Sequence, residues 1–247
     1  MSEDSQQSKI KIFVVFHKKI FEECYETIPT DVLRKYFTFV AVNENIKKIY
    51  PCDTYRFNII KEWELEKYDP SFQERDYREN SVIYHIYENG LHKLYKYIGF
   101  AQYDMYITYN SVKNIQTLEE IDDVNYCLGN YFGDFLHLGT QTWNDGNQKS
   151  IEKCIEDYEL FFNKAFSYND IYPLLNTYII QSKTYERIMK WVVQLYDKIW
   201  NRINHKEMCI AALYERVMAM AIGNEEVTYA YFDVEHDHEL KRLNNAL

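Results

Sequence analysis

Residues 96–106 have the sequence KYIGFAQYDMY, in which a short apolar run ends at a single acidic residue, Asp104. Such a run is typical of a buried strand, because successive apolar side chains face both sides of a covered sheet. A carboxylate at the carboxyl end of a strand in an α/β sheet faces the crevice where these folds bind ligands. The stretch therefore predicts a central strand that presents Asp104 to a ligand; a surface aspartate after a strand is the alternative.

Two earlier segments have the same apolar character and predict neighbouring strands. They are residues 9–16 (KIKIFVVF) and residues 37–42 (FTFVAV), with helical patterns over 21–27 and 31–36 between them. Strands that alternate with helices favour a parallel, Rossmann-like sheet over a sandwich. Both runs end in polar residues that would meet at one edge of that sheet: His17, Lys18, Asn43 and Glu44.

The segment before the first stretch predicts a helix. Asp69 and Pro70 have the form of a helix start, with Asp as N-cap and Pro at the first helical position. Apolar residues then recur on one helical face up to Gly90, a suitable stop. We expect this helix to carry three polar side chains toward the pocket of Asp104: Arg75, Arg78 and Asn80.

The second half of the chain is predicted to be mainly helical. Residues 151–165, 188–203 and 207–222 keep the spacing of amphipathic helices, and their apolar stripes are interpreted as core. Residues 227–234 predict a late strand, which four charged or titratable residues follow: Glu235, His236, Asp237 and His238. Without repeats or linkers, residues 1–247 are expected to form one α/β domain, with flexible ends at 1–8 and 241–247.

Composition excludes several classes of protein. The formal charge of −10 disfavours a nucleic-acid reader, which needs a basic surface for phosphates. A phosphorylated ligand would therefore need local positive charge, for which a bound divalent cation is a simple source. No apolar run approaches the length of a membrane span, and five scattered cysteines are typical of thiols in a reducing compartment. We expect a cytoplasmic protein.

Six segments carry a resemblance to a known family: residues 10–18 (IKIFVVFHK), 78–80 (REN), 84–89 (YHIYEN), 97–100 (YIGF), 176–179 (NTYI) and 212–216 (ALYER). In this order they resemble a GT-A-fold glycosyltransferase family. That family includes bacterial capsular-polysaccharide transferases with a domain of unknown function and a chlorella-virus sugar transferase. Bacterial members usually continue the YIGF-like run with a His-Tyr-Arg-Arg type of sequence. This chain has Gln102-Tyr103-Asp104-Met105 instead, closer to the acidic GT-A metal motif but without a complete Asp-x-Asp.

The resemblance implies a GT-A-like, mostly parallel mixed sheet flanked by helices, with a helical C-terminal half. It implies a glycosyltransferase that moves a sugar from a nucleoside diphosphate donor, a UDP-sugar, to a hydroxyl of a glycan or glycoprotein. Mn²⁺ or Mg²⁺ would assist. The abundance of Ile, Lys, Asn and Tyr suits an AT-rich genome such as that of a large DNA virus, which would place the protein in host cytoplasm.

The same resemblance assigns roles to individual residues. Asp104 would be a metal ligand, because a hard carboxylate oxygen suits Mg²⁺ or Mn²⁺, and Gln102 would orient the ligand. His236 and His238 would complete the metal shell, with Asp233 and Asp237 as further candidates; a solvated charged tail is the alternative. The nucleotide would contact residues at the ends of the first two strands, or these are ordinary turn residues: His17, Lys18, Asn43 and Glu44.

By the same resemblance, whose family has a Glu-Arg pair at this place, Glu215 is the predicted catalytic base. It lies among apolar neighbours, where partial burial would raise its pKa, and Arg216 beside it would pair a carboxylate or phosphate. A structural Glu-Arg ion pair is the alternative. Inversion is favoured, since a base at Glu215 needs no covalent intermediate. Arg78 is preferred over Arg75 as the contact for the diphosphate or sugar.

Other interpretations stay open at this stage. A polar loop with Trp143, near Asp134 and His137, would stack an acceptor sugar. The incomplete acidic motif also suits a non-catalytic protein that binds glycan or nucleotide sugar. A third hypothesis is a nucleotidyl or phosphoryl transferase. The lack of a phosphate-binding P-loop and of Gly-x-Gly-x-x-Gly disfavours a kinase or dehydrogenase.

Overall fold

The computed structural model describes eight stretches of the 247-residue chain: residues 8–42, 55–121, 126–129, 132–133, 145–168, 172–173, 175–200 and 210–236. At residues 132–133, 145–149, 199 and 236 it describes the backbone alone. The predicted flexible ends lie outside these stretches apart from residue 8.

The strands, in chain order, are β1 Ile10–Phe16, β2 Phe37–Ala41, β3 Ile59–Lys61, β4 Tyr97–Gln102, β5 Met105–Ile107, β6 Tyr126–Gly129, β7 Phe132–Gly133, β8 Tyr172–Pro173, β9 Tyr178–Gln181, β10 Thr228–Tyr231 and β11 Val234–His236. The helices are α1 Thr30–Tyr36, α2 Ser71–Glu74, α3 Glu79–Glu88, α4 Tyr109–Glu120, α5 Asp145–Phe162, α6 Ser182–Trp200 and α7 Ile210–Gly223. Short 3₁₀ turns at Glu22–Tyr25, Glu62–Glu64 and Leu91–Leu94 join them.

The main sheet has the strand order β10-β6-β9-β4-β1-β2-β3. Strand β1 is parallel to both β2 and β4, and β2 is parallel to β3. Strand β9 is antiparallel to its neighbours β4 and β6, while β10 runs parallel to β6. The sheet is therefore mixed but mostly parallel, as the sequence predicts.

Strand β1 explains why the sheet is covered on both faces. All seven of its residues are buried, and the six apolar ones divide between two apolar clusters. Phe13 and Val15 pack with α3, α6 and α7, whereas Ile12 and Val14 pack with α1 and α4. Because side chains alternate along a strand, a near-continuous apolar run requires a layer of helices on each face. The predicted burial on both faces is confirmed.

Strands are added to the sheet first on one side of β1 and then on the other. From β1 it moves to β2 and β3 on one side, and then returns to place β4 on the other side of β1. The carboxyl ends of β1 and β4 therefore flank a topological switch point, the usual ligand crevice of open α/β sheets. Because β9 is antiparallel, the chain enters it, through residues 175–177, at this same edge.

The predicted helix over 69–89 is two helices. Helix α2 begins at Ser71, whose backbone N–H donates to Asp69 Oδ1 at 2.9 Å, and it ends at Glu74. Asp76 and Arg78 then have φ of 58° and 52°, so the chain breaks before α3 begins at Glu79. A single helix is wrong because positive φ lies outside helical geometry. The predicted stop at Gly90 is confirmed, with φ of 66° there.

The predicted strand over 227–234 is also divided. Strand β10 belongs to the main sheet, whereas β11 pairs antiparallel with β5 in a separate ribbon. Phe232 is fully buried and its backbone N–H donates to Gly129 O at 2.9 Å, which ends the run along β6. Thr108 Oγ1 then donates to the backbone and side-chain oxygens of Asp233, each at 3.2 Å. These contacts turn the chain out of the main sheet.

The helical second half agrees with the predicted stripes. Helices α6 and α7 cover the predicted segments wherever the structure describes them, and α7 ends at the predicted Gly223, whereas α5 ends at Phe162, three residues before the predicted end at 165. Trp191 and Tyr214 are among the largest side chains they bury. Within the described ranges, no helix combines the length and apolar character needed to cross a bilayer.

Gly99 gives a direct test of the central packing. A Cβ at Gly99 would lie 2.8 Å from Ile179 Cγ1, 3.0 Å from the Tyr178 carbonyl oxygen and 3.1 Å from Ile12 Cγ1. Overpacking of this kind costs about 1–3 kcal/mol, so we expect Gly99→Ala to lower the free energy of unfolding by that amount. Urea denaturation followed by circular dichroism measures it. An unchanged midpoint would contradict the close approach of β4 to β1 and β9.

Candidate active site

Polar side chains from three elements meet where β1 and β4 end. Gln102, the last residue of β4, donates from Nε2 to Glu79 Oε1 at 3.2 Å. His17 follows β1, and its Nε2 lies 3.9 Å from Glu79 Oε2. Glu79 is the first residue of α3, so this helix start faces the switch point. Lys18, half-buried, follows His17 at the same edge.

His17, whose side chain is 27% exposed, is flanked by aromatic and charged neighbours. Its ring makes an edge contact with Tyr103, with centroids 6.0 Å apart, and Tyr103 stacks on Phe21 at 5.8 Å. The pKa of His17 is lowered to about 4, mainly by burial, and the positive charge of Arg78 acts in the same direction. Carboxylates nearby, including Asp104, oppose this shift. The imidazole is therefore neutral near pH 7 and can act as both donor and acceptor.

Asp104 lies in the two-residue turn between β4 and β5 and is only 1% exposed. The strand predicted to deliver this carboxylate is present, and it ends two residues earlier, at Gln102. The ribbon of β5 and β11 brings the end of the described chain beside this turn. In its register, His236 is opposite Met105, the residue after Asp104. The backbone thus brings the predicted metal residue His236 next to Asp104, although the two are distant in sequence.

The predicted metal site is only partly within the described residues. His238 and Asp237 lie outside them, and of His236 the backbone alone is described. Among the described side chains, no group of three or more His, Cys, Asp or Glu residues is arranged to hold a metal ion. The described oxygen-bearing side chains at this corner include the carboxylate of Asp104 and the amide of Gln102. Both offer hard oxygen atoms, which fit Mg²⁺ or Mn²⁺.

Glu215 lies on α7 in a nearly closed environment. Its side chain is 12% exposed, and its Oε1 accepts a hydrogen bond from Arg216 Nη1 at 2.9 Å. Burial raises the pKa of the Glu215 carboxyl. Arg216 and a backbone hydrogen bond from Leu175 lower that pKa, while the negative charge of Glu79 raises it, and the net shift is upward. The ion pair considered from the sequence is present, and the carboxyl still has a raised pKa.

Glu79 connects the two predicted halves of the site. It contacts Gln102 and His17 on the strand side, and its charge acts on Glu215 on the helix side. The charge of Asp104 in turn acts on His17. Glu215 also accepts a backbone hydrogen bond from Leu175, which precedes β9 at this edge, so Asp104 and Glu215, more than 100 residues apart in the sequence, lie around the same edge of the sheet.

The backbone around this edge is strained at several positions. Leu175 and Asn176 have φ of 62° and 46°, and Arg78 combines φ of 52° with ψ of −124°. Asn176 Nδ2 donates to Asn80 Oδ1 at 3.2 Å, which joins the two strained segments beside Glu79. Residues in such conformations cost roughly 1–3 kcal/mol each and cluster at functional sites. This clustering supports a functional role for the edge.

Other predicted residues have different surroundings. Arg75 Nη1 lies 3.2 Å from Asp197 Oδ1, and its guanidinium is 5.1 Å from the ring centre of Trp200, so it belongs to the α6 surface. Asn80 is buried and donates to Ala211 O at 2.9 Å, which ties α3 to α7. Several candidates lie outside the described residues: Asn43, Glu44, Asp134, His137 and Trp143.

The central position of Glu79 was missed from the sequence. A signal was present, because Glu79 is the middle residue of the Arg78-Glu79-Asn80 segment that carries the family resemblance. Its importance depends on the break before α3, which turns the start of that helix toward Gln102. The helical pattern predicted a continuous helix, in which residue 79 has no distinctive position.

Comparisons with solved structures indicate the fold of this chain. No protein-family model and no curated protein sequence matches this chain. The apo structure of WbbM, a bifunctional glycosyltransferase, is similar with a TM-score of 0.61 and 14% identity over 93% of this chain. This chain spans less than half of that one, 45%. The galactosyltransferase LgtC, solved with donor and acceptor sugar analogues, has a TM-score of 0.41 and 11% identity over 90% of this chain and 73% of its own.

The likeness to WbbM confirms the predicted fold class. The mostly parallel mixed sheet with flanking helices is a GT-A-like arrangement. At this level of identity the likeness concerns the fold, and function has to be argued from the site.

The environment of His17 gives a prediction that needs no ligand. The pKa of His17 is about 4 in the folded protein and 6.5 in an ordinary, solvated histidine. Between pH 4 and 6.5 the unfolded chain therefore binds more protons than the folded protein does. His17 therefore favours the folded state above about pH 6.5, and this contribution is lost as pH falls toward 4. NMR titration of the His17 ring should show no protonation between pH 6 and 8. A midpoint near 6.5 would contradict the enclosed site.

Proposed function

We propose that this protein is a glycosyltransferase that moves a sugar from a nucleoside diphosphate donor, a UDP-sugar, to a hydroxyl of a glycan or glycoprotein. The observation that carries the proposal is the meeting of Gln102, Glu79 and His17 at the β1–β4 switch point, with Asp104 and Glu215 around the same edge. A GT-A-like fold with ionisable groups at this place supports sugar transfer from a nucleotide donor.

The donor would lie across the carboxyl ends of β1 and β4. His17 and Lys18 would contact the nucleoside, to which the neutral imidazole offers both a donor and an acceptor. Arg78 would balance the negative diphosphate, because its guanidinium is half-exposed and its charge already acts on His17. In a chain with a net charge of −10, such local positive charge is needed to hold a diphosphate.

A divalent cation, Mn²⁺ or Mg²⁺, would be held by Asp104, with Gln102 and the predicted His236 and His238 as further ligands. When bound, it would neutralise charge that develops on the leaving diphosphate. The oxygen donors at the Gln102–Asp104 corner fit such an ion. Gln102 also holds Glu79 by a hydrogen bond, so the same corner orients the sugar-facing side of the site.

Glu215 would act as the base of an inverting transfer. Its carboxylate takes the proton of the acceptor hydroxyl as the hydroxyl oxygen bonds to the anomeric carbon, and the diphosphate leaves with the electrons of the broken bond. The raised pKa makes Glu215 a better proton acceptor than an ordinary carboxylate. Arg216 holds the carboxylate in place at 2.9 Å.

The donor assignment is tested by calorimetry with UDP in the presence and absence of Mn²⁺. We expect metal-dependent binding in the parent protein and a loss of at least about tenfold in affinity for Asp104→Asn, which keeps the shape but removes the charge. Glu235→Gln is the matched control, because Glu235 is an exposed carboxylate on the paired strand β11. Equal UDP affinity in Asp104→Asn and the parent would remove Asp104 from the metal site.

The base is tested by Glu215→Gln. We expect UDP binding to be kept and kcat to fall by about 10²–10⁴-fold, the usual range for a lost general base. Because its pKa is raised, the base is protonated at a higher pH than an ordinary carboxylate, so activity should fall as pH decreases through that pKa. This acid limb should be absent from the residual activity of the variant.

Glu225→Gln is the control for the loss of an ion pair. The side chain of Glu225 is 7% exposed and pairs with Arg187 just after α7, so the variant also leaves an arginine without its carboxylate.

Normal turnover in Glu215→Gln would exclude Glu215 as the base. If the parent binds UDP and glycan but a broad panel of nucleotide sugars yields neither transfer nor hydrolysis, the protein is a binding protein.

A further inference from the structure

A fully buried carboxyl group lies behind the start of α3. Glu62 follows β3, and both Glu62 and His85 of α3 are 0% exposed. Glu62 Oε1 lies 2.8 Å from His85 Nδ1. The backbone N–H of Asp69 donates to His85 Nε2 at 3.0 Å, so the ring hydrogen is on Nδ1 and is donated to Glu62.

Further hydrogen bonds complete the environment of Glu62. Ser81 Oγ lies 2.5 Å from Glu62 Oε1, and Gln73 Nε2 donates to Glu62 Oε2 at 2.8 Å. Both Glu62 oxygens are therefore engaged by side chains of α2 and α3. Ser81 and Gln73 also contact each other, so the carboxyl group joins the two helices on either side of the break.

This network reaches the strained backbone of the site. Ser81 Oγ lies 2.7 Å from the carbonyl oxygen of Arg78, and Gln73 Nε2 lies 3.4 Å from the same oxygen. Arg78 is the residue with φ of 52° and ψ of −124°, and Asp76 before it has φ of 58°. The side chains of Arg78 and Asp76 pair through two hydrogen bonds, of 3.0 and 3.2 Å, on the outer side of the corner.

We propose that the buried Glu62–His85 pair is a positioning device, which holds residues 76–79 in their strained conformation and so places Glu79 against Gln102 and His17. Its catalytic consequence rests on the proposed glycosyl transfer; its structural consequence does not. Glu62, Ser81 and His85 touch no ligand in this scheme, and they act through the orientation of Glu79 and Arg78.

The energetics favour positioning over simple stabilisation. A strained non-glycine conformation persists only when the surrounding structure determines it, and here the Arg78 carbonyl oxygen is within hydrogen-bond distance of Ser81 and Gln73, the two side chains that also contact Glu62. A buried polar pair adds little net stability compared with apolar residues of similar volume, whereas its directional hydrogen bonds select one geometry. The charge of Glu62 also acts on His17, so the network is close enough to the site to influence its electrostatics.

The primary test is hydrogen exchange of Glu62→Gln measured by mass spectrometry or NMR. The amide that glutamine introduces offers hydrogens where Gln73 and Ser81 already donate, so the network cannot be fully satisfied. We expect exchange at the amides of residues 76–81 to accelerate by at least about tenfold, while amides of β1 and β4 keep their protection. Unchanged exchange at 76–81, or equal acceleration throughout the chain, would overturn the proposal.

Two further variants keep the test decisive. Ser81→Ala removes only the hydroxyl that bridges Glu62 and the Arg78 carbonyl, and it should accelerate the same amides if Glu62→Gln does not fold. Asn224→Ala is the control, because Asn224 is 4% exposed and bonds Ser167 and Met220 away from the site. Asn224→Ala should leave the hydrogen exchange of the amides of residues 76–81 unchanged.

Kinetics then separate this proposal from the proposed function. If the parent transfers sugar, Glu62→Gln should lower kcat by about tenfold or more. The double variant Glu62→Gln/Glu79→Gln should then lose less kcat than the product of the two single fold-losses. Multiplicative effects would show that Glu62 does not act through Glu79 and would overturn the proposal. If the parent transfers no sugar, the exchange experiment alone decides whether Glu62 positions the corner.

Discussion

The parallel pairing of β1 with both β2 and β4 is the constraint on which this structure depends. Because the chain adds β2 and β3 on one side of β1 and β4 on the other, the carboxyl ends of β1 and β4 form the switch point. Close packing at Gly99 and the alternating apolar side chains of β1 fix the register of these strands. Each polar residue at that edge takes its position from this pairing.

The core supports an edge that would be unfavourable in isolation. Glu79 and Glu215 bring like charges near each other, and Leu175, Asn176 and Arg78 have backbone conformations that cost energy. The two-sided aliphatic and aromatic core offsets these costs, while Arg216 and the buried carboxyl of Glu62 hold the polar groups in place. Concentrating unfavourable features at one edge of a well-packed sheet is what a preorganised site requires.

Much of the fold could be predicted from the sequence, because the apolar periodicity is strong. Runs over 9–16 and 37–42 correspond to strands, and the amphipathic stripes of the second half correspond to helices. The errors occurred where the chain changes direction. The helix break at 76–78 depends on positive φ at Asp76 and Arg78, which the pattern of apolar residues does not predict. The turn at Asp233 depends on hydrogen bonds from Thr108, which is remote in sequence.

By itself, the sequence determined which segments are strands and helices and which polar residues follow them, since these depend on the local spacing of apolar side chains. It placed Asp104 after a strand and Glu215 on a helix. Only the tertiary structure decided that both lie at one edge, with Glu79 between them. The physical reason is that strand order and a strained corner set contacts between residues distant in sequence, and local periodicity carries no information about either.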